Sequence, residues 1–181
     1  MRALVVYESM YGNTHVVASN IADGLRGTYE VTLIPVAAAT ADLIAGADLM
    51  VVGAPTHIHG LSTASSRQAA RKAAAKPESG LTLDPDAGRP ALRDWLSGLA
   101  GGHALAAAFD TRLAGAPVLT GRASRGIGRL LTRHGYSLIV PPESFLVTKL
   151  NTLVDGESSR ARRWGEALAA AAGLAVPAAR R

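Results

Sequence analysis

Cysteine is absent from the sequence. This absence excludes disulfide bonds, thiolate metal sites, CxxC redox chemistry and the cysteine nucleophile of low-molecular-weight phosphatases. Any redox function of this chain therefore requires a bound cofactor.

Long apolar runs are lacking as well. No run approaches the roughly 18–20 residues that a membrane-spanning helix needs, and residues 1–8 reach an acidic side chain too soon for a signal peptide. We therefore expect a cytoplasmic protein without a membrane span. Its 181 residues, 48% of them hydrophobic, suit one compact domain with its own core.

Aromatic residues make up only 4% of the chain, whereas basic residues outnumber acidic ones to give a net charge of +5. Proteins that bind single-stranded nucleic acid interleave aromatic side chains with basic ones, and that pattern is missing here. We therefore expect no nucleic-acid partner. The positive charge favours an acidic partner protein.

Apolar runs typical of strands alternate with helical patterns, which is the signature of a parallel sheet covered on both faces. The predicted strands are residues 4–7, 29–34, 48–53, 104–109 and 137–140, with residues 145–147 extending the fifth. The predicted helices are residues 13–25, 40–45, 91–99, 120–134 and 157–174. The chain is therefore expected to be an α/β protein.

Residues 62–90, called the excursion below, interrupt this alternation. The third and fourth predicted strands lie much farther apart than an ordinary βα connection requires. Residues 62–76 have a helical pattern, whereas residues 77–90 are rich in proline and glycine. We expect a single domain over residues 1–175, with the excursion above the sheet, and a frayed tail at residues 176–181.

The turn between the first predicted strand and the first predicted helix has the composition of an anion-binding site. It contains Ser9, Met10, Tyr11, Gly12, Asn13 and Thr14. Free backbone N–H groups and the helix dipole attract an anion at such a turn, and Gly12 lets the chain turn tightly against a phosphate. The turn matches neither a Walker A loop nor a dinucleotide fingerprint. An ordinary helix cap is the alternative interpretation.

Residues 5–14 and 52–57 resemble the flavodoxin family, and residues 108–112, 142–145 and 156–165 extend the resemblance over most of the chain. The resemblance implies a doubly wound, five-stranded parallel sheet in the order 2-1-3-4-5. It also implies an FMN cofactor at the switch point between the first and third strands, the placement known for flavodoxin itself.

The resemblance further implies three cofactor-binding loops. Residues 9–14 are expected to hold the FMN phosphate, residues 55–60 to flank one side of the isoalloxazine ring, and residues 109–112 the other. The flanking residues are Pro55, Thr56, His57, Ile58, His59, Gly60, Phe109, Asp110, Thr111 and Arg112. All three loops leave the carboxyl ends of adjacent predicted strands, so they should converge on one crevice.

The flanking loops depart from the family pattern because they contain no Trp or Tyr. They offer His57, His59 and Arg112 instead. Cationic groups near the ring favour the reduced, anionic flavin, so we predict a less negative potential than that of a typical flavodoxin. Packing within the loop is the alternative role for the two histidines. We predict no metal ligands here, because an HxH pair in an extended loop points to opposite sides.

Four arginines recur at helical spacing in the predicted helix at residues 120–134. They are Arg122, Arg125, Arg129 and Arg133. They form either a docking face for an acidic partner or a solvated helix face.

Three functions follow from these patterns. The first is an FMN-binding electron-transfer protein that needs no catalytic side chain. The second is an FMN-dependent NAD(P)H or quinone reductase that resembles flavodoxin-like protoporphyrinogen dehydrogenases, with Arg67, Arg71 and Lys72 of the excursion binding an anionic substrate. The third is a flavin-free domain that binds a partner, which the missing aromatic residues motivate.

Overall fold

A computed structural model describes residues 1–57, 60–88 and 90–175. Ile58 and His59 of the predicted cofactor loop, and the predicted tail at residues 176–181, lie outside these residues. The strands are β1 (Arg2–Tyr7), β2 (Glu30–Pro35), β3 (Leu49–Pro55), β4 (Leu105–Leu113), β5 (Ser137–Leu138) and β6 (Glu143–Val147).

The helices are α1 (Asn13–Leu25), α2 (Ala41–Ala45), α3 (Ala64–Ala74), α4 (Leu92–Ser97), α5 (Pro117–Thr120), α6 (Ala123–Arg133) and α7 (Glu157–Ala175). Short 3-10 turns span Val36–Ala38 and Pro77–Ser79. Within the described ranges, no helix combines the length and the apolar character needed to cross a membrane.

The strands form one parallel sheet in the order β2-β1-β3-β4, with β5 and β6 both paired to the free edge of β4. β5 pairs with the start of β4, and β6 pairs with residues 109–113 at its end. Together they occupy the fifth position, so the predicted order 2-1-3-4-5 is confirmed.

Pairing with β6 carries β4 beyond its predicted end at Phe109, as far as Leu113. Asp110, Thr111 and Arg112 therefore lie in a strand rather than in a loop. The pairing partner lies more than thirty residues further along the chain, so no local pattern signals the extension.

The predicted helix at residues 120–134 is also corrected, because it is divided into α5 and α6. Arg122 lies between them in an extended conformation. Its side chain donates to Oγ of Ser144 at 3.0 Å and to the carbonyl oxygen of Pro142 at 2.6 Å. These contacts anchor Arg122 to β6 and remove it from the predicted arginine face.

The sheet separates two hydrophobic cores. Successive side chains of a strand point to opposite faces, so Val5 and Val51 pack under α1 and α7, whereas Val6 and Val52 pack under α4 and α6. All four are fully buried, as expected for parallel strands covered on both sides.

Helices α1 and α7 pack backbone to backbone through two glycines. A Cβ atom on Gly165 would collide with the carbonyl oxygen of Ile21, and one on Gly24 would collide with that of Arg162. The absence of a side chain at both positions therefore sets the separation of the two helices on this face of the sheet.

The excursion is anchored to the sheet by Glu8, the residue that follows β1. The Glu8 side chain is buried; its Oε1 accepts from the Ser62 hydroxyl and its Oε2 from the Leu92 backbone N–H, both at 2.7 Å. Nη1 of the buried Arg67 lies 3.3 Å from Oε1. One carboxylate therefore contacts the first residue of the excursion, its helix α3 and the start of α4, just beyond its end.

We predict that Gly165→Ala destabilises the fold by about 2 kcal/mol or more, because the added methyl must push two helix backbones apart. Gly173→Ala on the same helix is the matched control. Nothing lies within 4 Å of its Cβ position, so we expect it to be neutral or to stabilise by about 0.5 kcal/mol. Urea unfolding measures both; equal effects would contradict the close packing of α1 and α7.

We predict that Glu8→Gln lowers the free energy of unfolding by about 3 kcal/mol, because it leaves the buried Arg67 guanidinium without its counter-charge. Glu166→Gln is the control, since Glu166 pairs with Arg162 on the exposed face of α7, where such a pair contributes less than about 0.5 kcal/mol. Chemical denaturation followed by circular dichroism compares the variants. A cost below about 1 kcal/mol for Glu8→Gln would contradict the role assigned to this carboxylate.

Candidate functional site

The carboxyl ends of β1, β3, β4 and β6 surround a cavity of about 450 Å³, called the carboxyl-edge cavity below. Its volume lies in the range of small-molecule sites. The predicted cofactor residues that line it are Met10, Tyr11, Asn13, Thr14, Pro55, Thr56, His57, Thr111 and Arg112. The structure thus brings the three predicted loops together at one edge of the sheet.

Ser9, Gly12 and Gly60 do not line the cavity, and local hydrogen bonds fix the turns to which they belong. The Ser9 hydroxyl is buried and accepts a hydrogen bond from the Gly12 N–H at 3.1 Å. Gly60 exchanges backbone hydrogen bonds with His57, at 2.8 and 3.0 Å, which closes that loop.

Phe109 and Asp110 do not line the cavity. Phe109 is fully buried in the core, where its ring contacts Phe145 and Trp164 edge to face. Oδ2 of Asp110 accepts a hydrogen bond from the Ser124 N–H at 2.7 Å, at the start of α6. Burial raises the pKa of the Asp110 carboxyl. Both side chains therefore lie in the packed interior and not in the cavity lining.

The first turn of α1 faces the cavity with unused hydrogen-bonding capacity. Gly12 occupies the capping position with a φ of +93° and has no side-chain oxygen to accept from the N–H groups that follow. Uncapped N–H groups at a helix N-terminus bind anions. A phosphate group fits this end of the cavity.

Two side-chain contacts hold this turn in place. The hydroxyls of Thr14 and Thr111 lie 2.8 Å apart, which connects α1 to β4. Nδ2 of Asn13 donates to the carbonyl and side-chain oxygens of Asn151, each at 3.0 Å. The first turn of α1 is thus fixed to β4 and to the segment that follows β6.

Arg112 is the principal charged group of the cavity. Its Nη1 donates to the carbonyl oxygens of Leu113 and Gly115 and to the Thr120 hydroxyl. Its Nε is buried and has no hydrogen-bond partner among the residues that the structure describes. A buried donor without a partner is costly, so the contacts of Nη1 hold the guanidinium in place beside the cavity.

His57 lines the cavity as a neutral group. Burial lowers the pKa of its imidazole, so the ring is uncharged at pH 7. The sequence analysis expects three groups to place positive charge near a flavin: His57, His59 and Arg112. His57 is neutral and His59 lies outside the described residues, so Arg112 is the member of this set that the structure shows as a cation at the cavity. Lys149, which the sequence analysis did not single out, lines the cavity as well.

The excursion also walls the cavity, through residues that the sequence analysis did not single out. The cavity-lining residues of α3 and of the segment that follows it are Ser66, Ala69, Ala70, Ala73 and Leu81. The four on α3 recur at the spacing of one helix face, and this run of small residues was the available signal. The Tyr11 hydroxyl donates to the carbonyl oxygen of Ala70 at 2.9 Å and connects the turn at residues 9–14 to this wall.

The basic residues of the excursion are largely engaged within the protein. Arg67 pairs with Glu8 and donates to the carbonyl oxygen of Gly88, and Arg71 donates to that of Ala87 at 2.7 Å. These contacts fix the path of the excursion. Arg67 is buried, whereas Arg71 and Lys72 are exposed.

Comparison with known proteins agrees with this geometry. The sequence profile of the family described as Flavodoxin matches residues 5–99, which is more than half of the chain. A search of curated proteins finds no match.

Solved structures share the fold at low sequence identity. Flavodoxin 1 from Bacillus cereus is 19% identical, with a TM-score of 0.63 over 97% of this chain and 99% of that one. The flavodoxin, WrbA-like protein from Agrobacterium tumefaciens is 20% identical, with a TM-score of 0.60 over 96% and 98%.

A third match is to part of a larger protein, the rubredoxin oxygen:oxidoreductase from Desulfovibrio gigas. It is 17% identical with a TM-score of 0.60, and the match spans 98% of this chain but 37% of that one. The family profile covers more than half of the chain, and the turn at residues 9–14 lies at the carboxyl edge of the sheet. The chain therefore belongs to the flavodoxin family of FMN-binding proteins.

Proposed function

We propose that this chain is a cytoplasmic electron-transfer protein that carries FMN in the carboxyl-edge cavity. The observation that carries the proposal is the pairing of two anion-binding features in one cavity. One is the uncapped first turn of α1 after Gly12, and the other is the positive charge of Arg112 in the cavity lining. FMN, when bound, supplies the reversible uptake of electrons.

The lining of the cavity suits the two parts of FMN. Residues 9–14 would hold the phosphate, because their N–H groups and the dipole of α1 favour an anion. Residues 55–57 and 111–112 would flank the isoalloxazine ring. The alanines of α3 and Leu81 give the cavity an apolar wall, which excludes water from the ring.

The charges of the cavity support a raised flavin potential. Arg112 keeps its positive charge, and Lys149 adds a second. A positive charge stabilises the anionic, reduced form of a flavin relative to the oxidised form. His57 contributes a neutral imidazole, so the potential should depend mainly on the two longer side chains.

The redox partner is proposed to be an acidic protein that docks on α6. Arg125, Arg129 and Arg133 are exposed along this helix and border a groove of about 720 Å³ together with Leu138 and Pro142. Opposite charges across such a face speed the encounter of two proteins.

A reductase of the same fold is the second candidate. The observation in its favour is that α3 and Leu81 wall the cavity, because a walled site holds a second substrate beside the cofactor. The similarity to a WrbA-like protein is compatible with this candidate. NAD(P)H would then deliver electrons, and a quinone would accept them.

One preparation tests all three functions. The purified protein is incubated with FMN, desalted and examined by absorbance, then assayed for NAD(P)H oxidation with a quinone acceptor. Retained flavin without turnover above that of free FMN supports the electron carrier. Turnover above free FMN would replace the carrier with the reductase, and a colourless protein would favour a flavin-free domain that binds a partner.

We predict that Arg112→Gln weakens FMN binding about ten- to hundredfold, the effect of losing a charged hydrogen-bond donor, and makes the midpoint potential of the bound flavin more negative. Fluorescence quenching and a redox titration measure the two effects. Arg26→Gln, an exposed arginine just after α1, is the control. An unchanged potential in Arg112→Gln would contradict the proposed role of its charge.

A further inference from the structure

A second cluster of ligating side chains lies beside α1, next to the turn that borders the carboxyl-edge cavity. It consists of His15 on α1 and of Asp84 and Asp86 in the excursion, and is called the His15 cluster below. One ligand atom from each of the three residues lies within 4.8 Å of the others. The proposed FMN function does not use this cluster.

The spacing of the three side chains is that of ligands around a shared ion. Nδ1 of His15 lies 3.5 Å from Oδ2 of Asp84 and 4.0 Å from Oδ2 of Asp86. Both distances exceed a normal hydrogen bond. Two ligands that each lie about 2.0–2.2 Å from one metal ion are separated by about this much in tetrahedral and wider geometries.

Asp84 brings a buried carboxylate to the cluster. Its side chain is only 1% exposed, and Oδ1 accepts a hydrogen bond from the Asp86 N–H at 2.8 Å. The other oxygen, Oδ2, faces the imidazole of His15. A positive charge beside a buried carboxylate compensates the cost of removing it from water.

Tyr7 holds the other two side chains in place. Its hydroxyl donates to Oδ2 of Asp86 at 2.6 Å, and its ring stacks on the His15 imidazole with centroids 4.6 Å apart and planes 22° apart. Outer contacts of this kind orient the ligands of natural metal sites.

We propose that His15, Asp84 and Asp86 bind a divalent first-row transition metal ion, with Zn²⁺ as the best fit. One imidazole nitrogen and two carboxylates suit such an ion better than Ca²⁺ or Mg²⁺, which prefer oxygen ligands alone. The imidazole side chain is 42% exposed, so water can complete the coordination. The ion would connect α1 to the excursion next to Gly12.

If the cluster binds no metal, a titration with Zn²⁺ gives the opposite result. A protonated His15 could form ion pairs with both carboxylates, and the cluster would then bind no metal. Isothermal titration of Zn²⁺ into tag-free protein, treated with EDTA and dialysed, separates the two. We expect one Zn²⁺ per chain; a protein that binds none at this site overturns the proposal.

Substitutions test whether Zn²⁺ binds at the His15 cluster. We expect His15→Ala and Asp84→Asn to lose more than a hundredfold in Zn²⁺ affinity, and Tyr7→Phe about ten- to hundredfold, the usual effect of removing an outer contact. His103→Ala and Asp155→Asn remove an exposed imidazole and an exposed carboxylate elsewhere and should bind normally. Unchanged affinity in His15→Ala or Asp84→Asn overturns the site.

A measurement on the unmodified chain keeps the proposal testable if these variants fail to fold. Zn²⁺ should shift the ¹⁵N resonance of Nδ1 in His15 and leave His103 and His134 unchanged. A shift confined to His103 or His134 would assign the metal to another part of the surface and refute the proposal.

Discussion

The buried carboxylate of Glu8 is the contact on which the rest of the site depends. It follows β1, which pairs with β2 and β3, and it binds Ser62, Arg67 and Leu92 in the core of the protein. A buried ion pair contributes little net stability once desolvation is counted, but removing one partner leaves an uncompensated charge. The pair therefore specifies where the excursion lies more than it stabilises the fold. Because α3 belongs to the excursion, this one contact positions a wall of the carboxyl-edge cavity.

The cavity combines two structural contributions. The sheet order and the turn after β1 are those of the flavodoxin family, and they place an anion-binding helix N-terminus at the switch point of the strands. The excursion adds the small side chains of α3, together with Leu81. The family pattern thus provides the phosphate end, and the excursion provides much of the enclosure. Tyr11 connects the two, since its hydroxyl donates to the carbonyl oxygen of Ala70.

Charge is distributed unevenly around this assembly. Arg112 and Lys149 make the cavity positive, whereas Asp84 and Asp86 make the outer side of α1 negative next to His15. Gly12 lies between these regions, because a Cβ atom there would come 4.0 Å from Oδ2 of Asp84. The turn proposed to bind the phosphate therefore has a carboxylate close to it. A divalent ion in the His15 cluster would reduce the repulsion between that carboxylate and a bound phosphate.

The sequence implied the strand order and the role of the turn after β1 through its resemblance to the flavodoxin family, and it indicated the edge where the loops converge because parallel strands end together. It did not determine the directions of Phe109 and Asp110, since pairing with the distant β6 keeps both in a strand. It presented Arg67 as a ligand-binding candidate, and only the tertiary structure paired it with Glu8. The His15 cluster likewise joins residues from α1 and the excursion. Such contacts depend on where a long segment packs, and local periodicity carries no information about that.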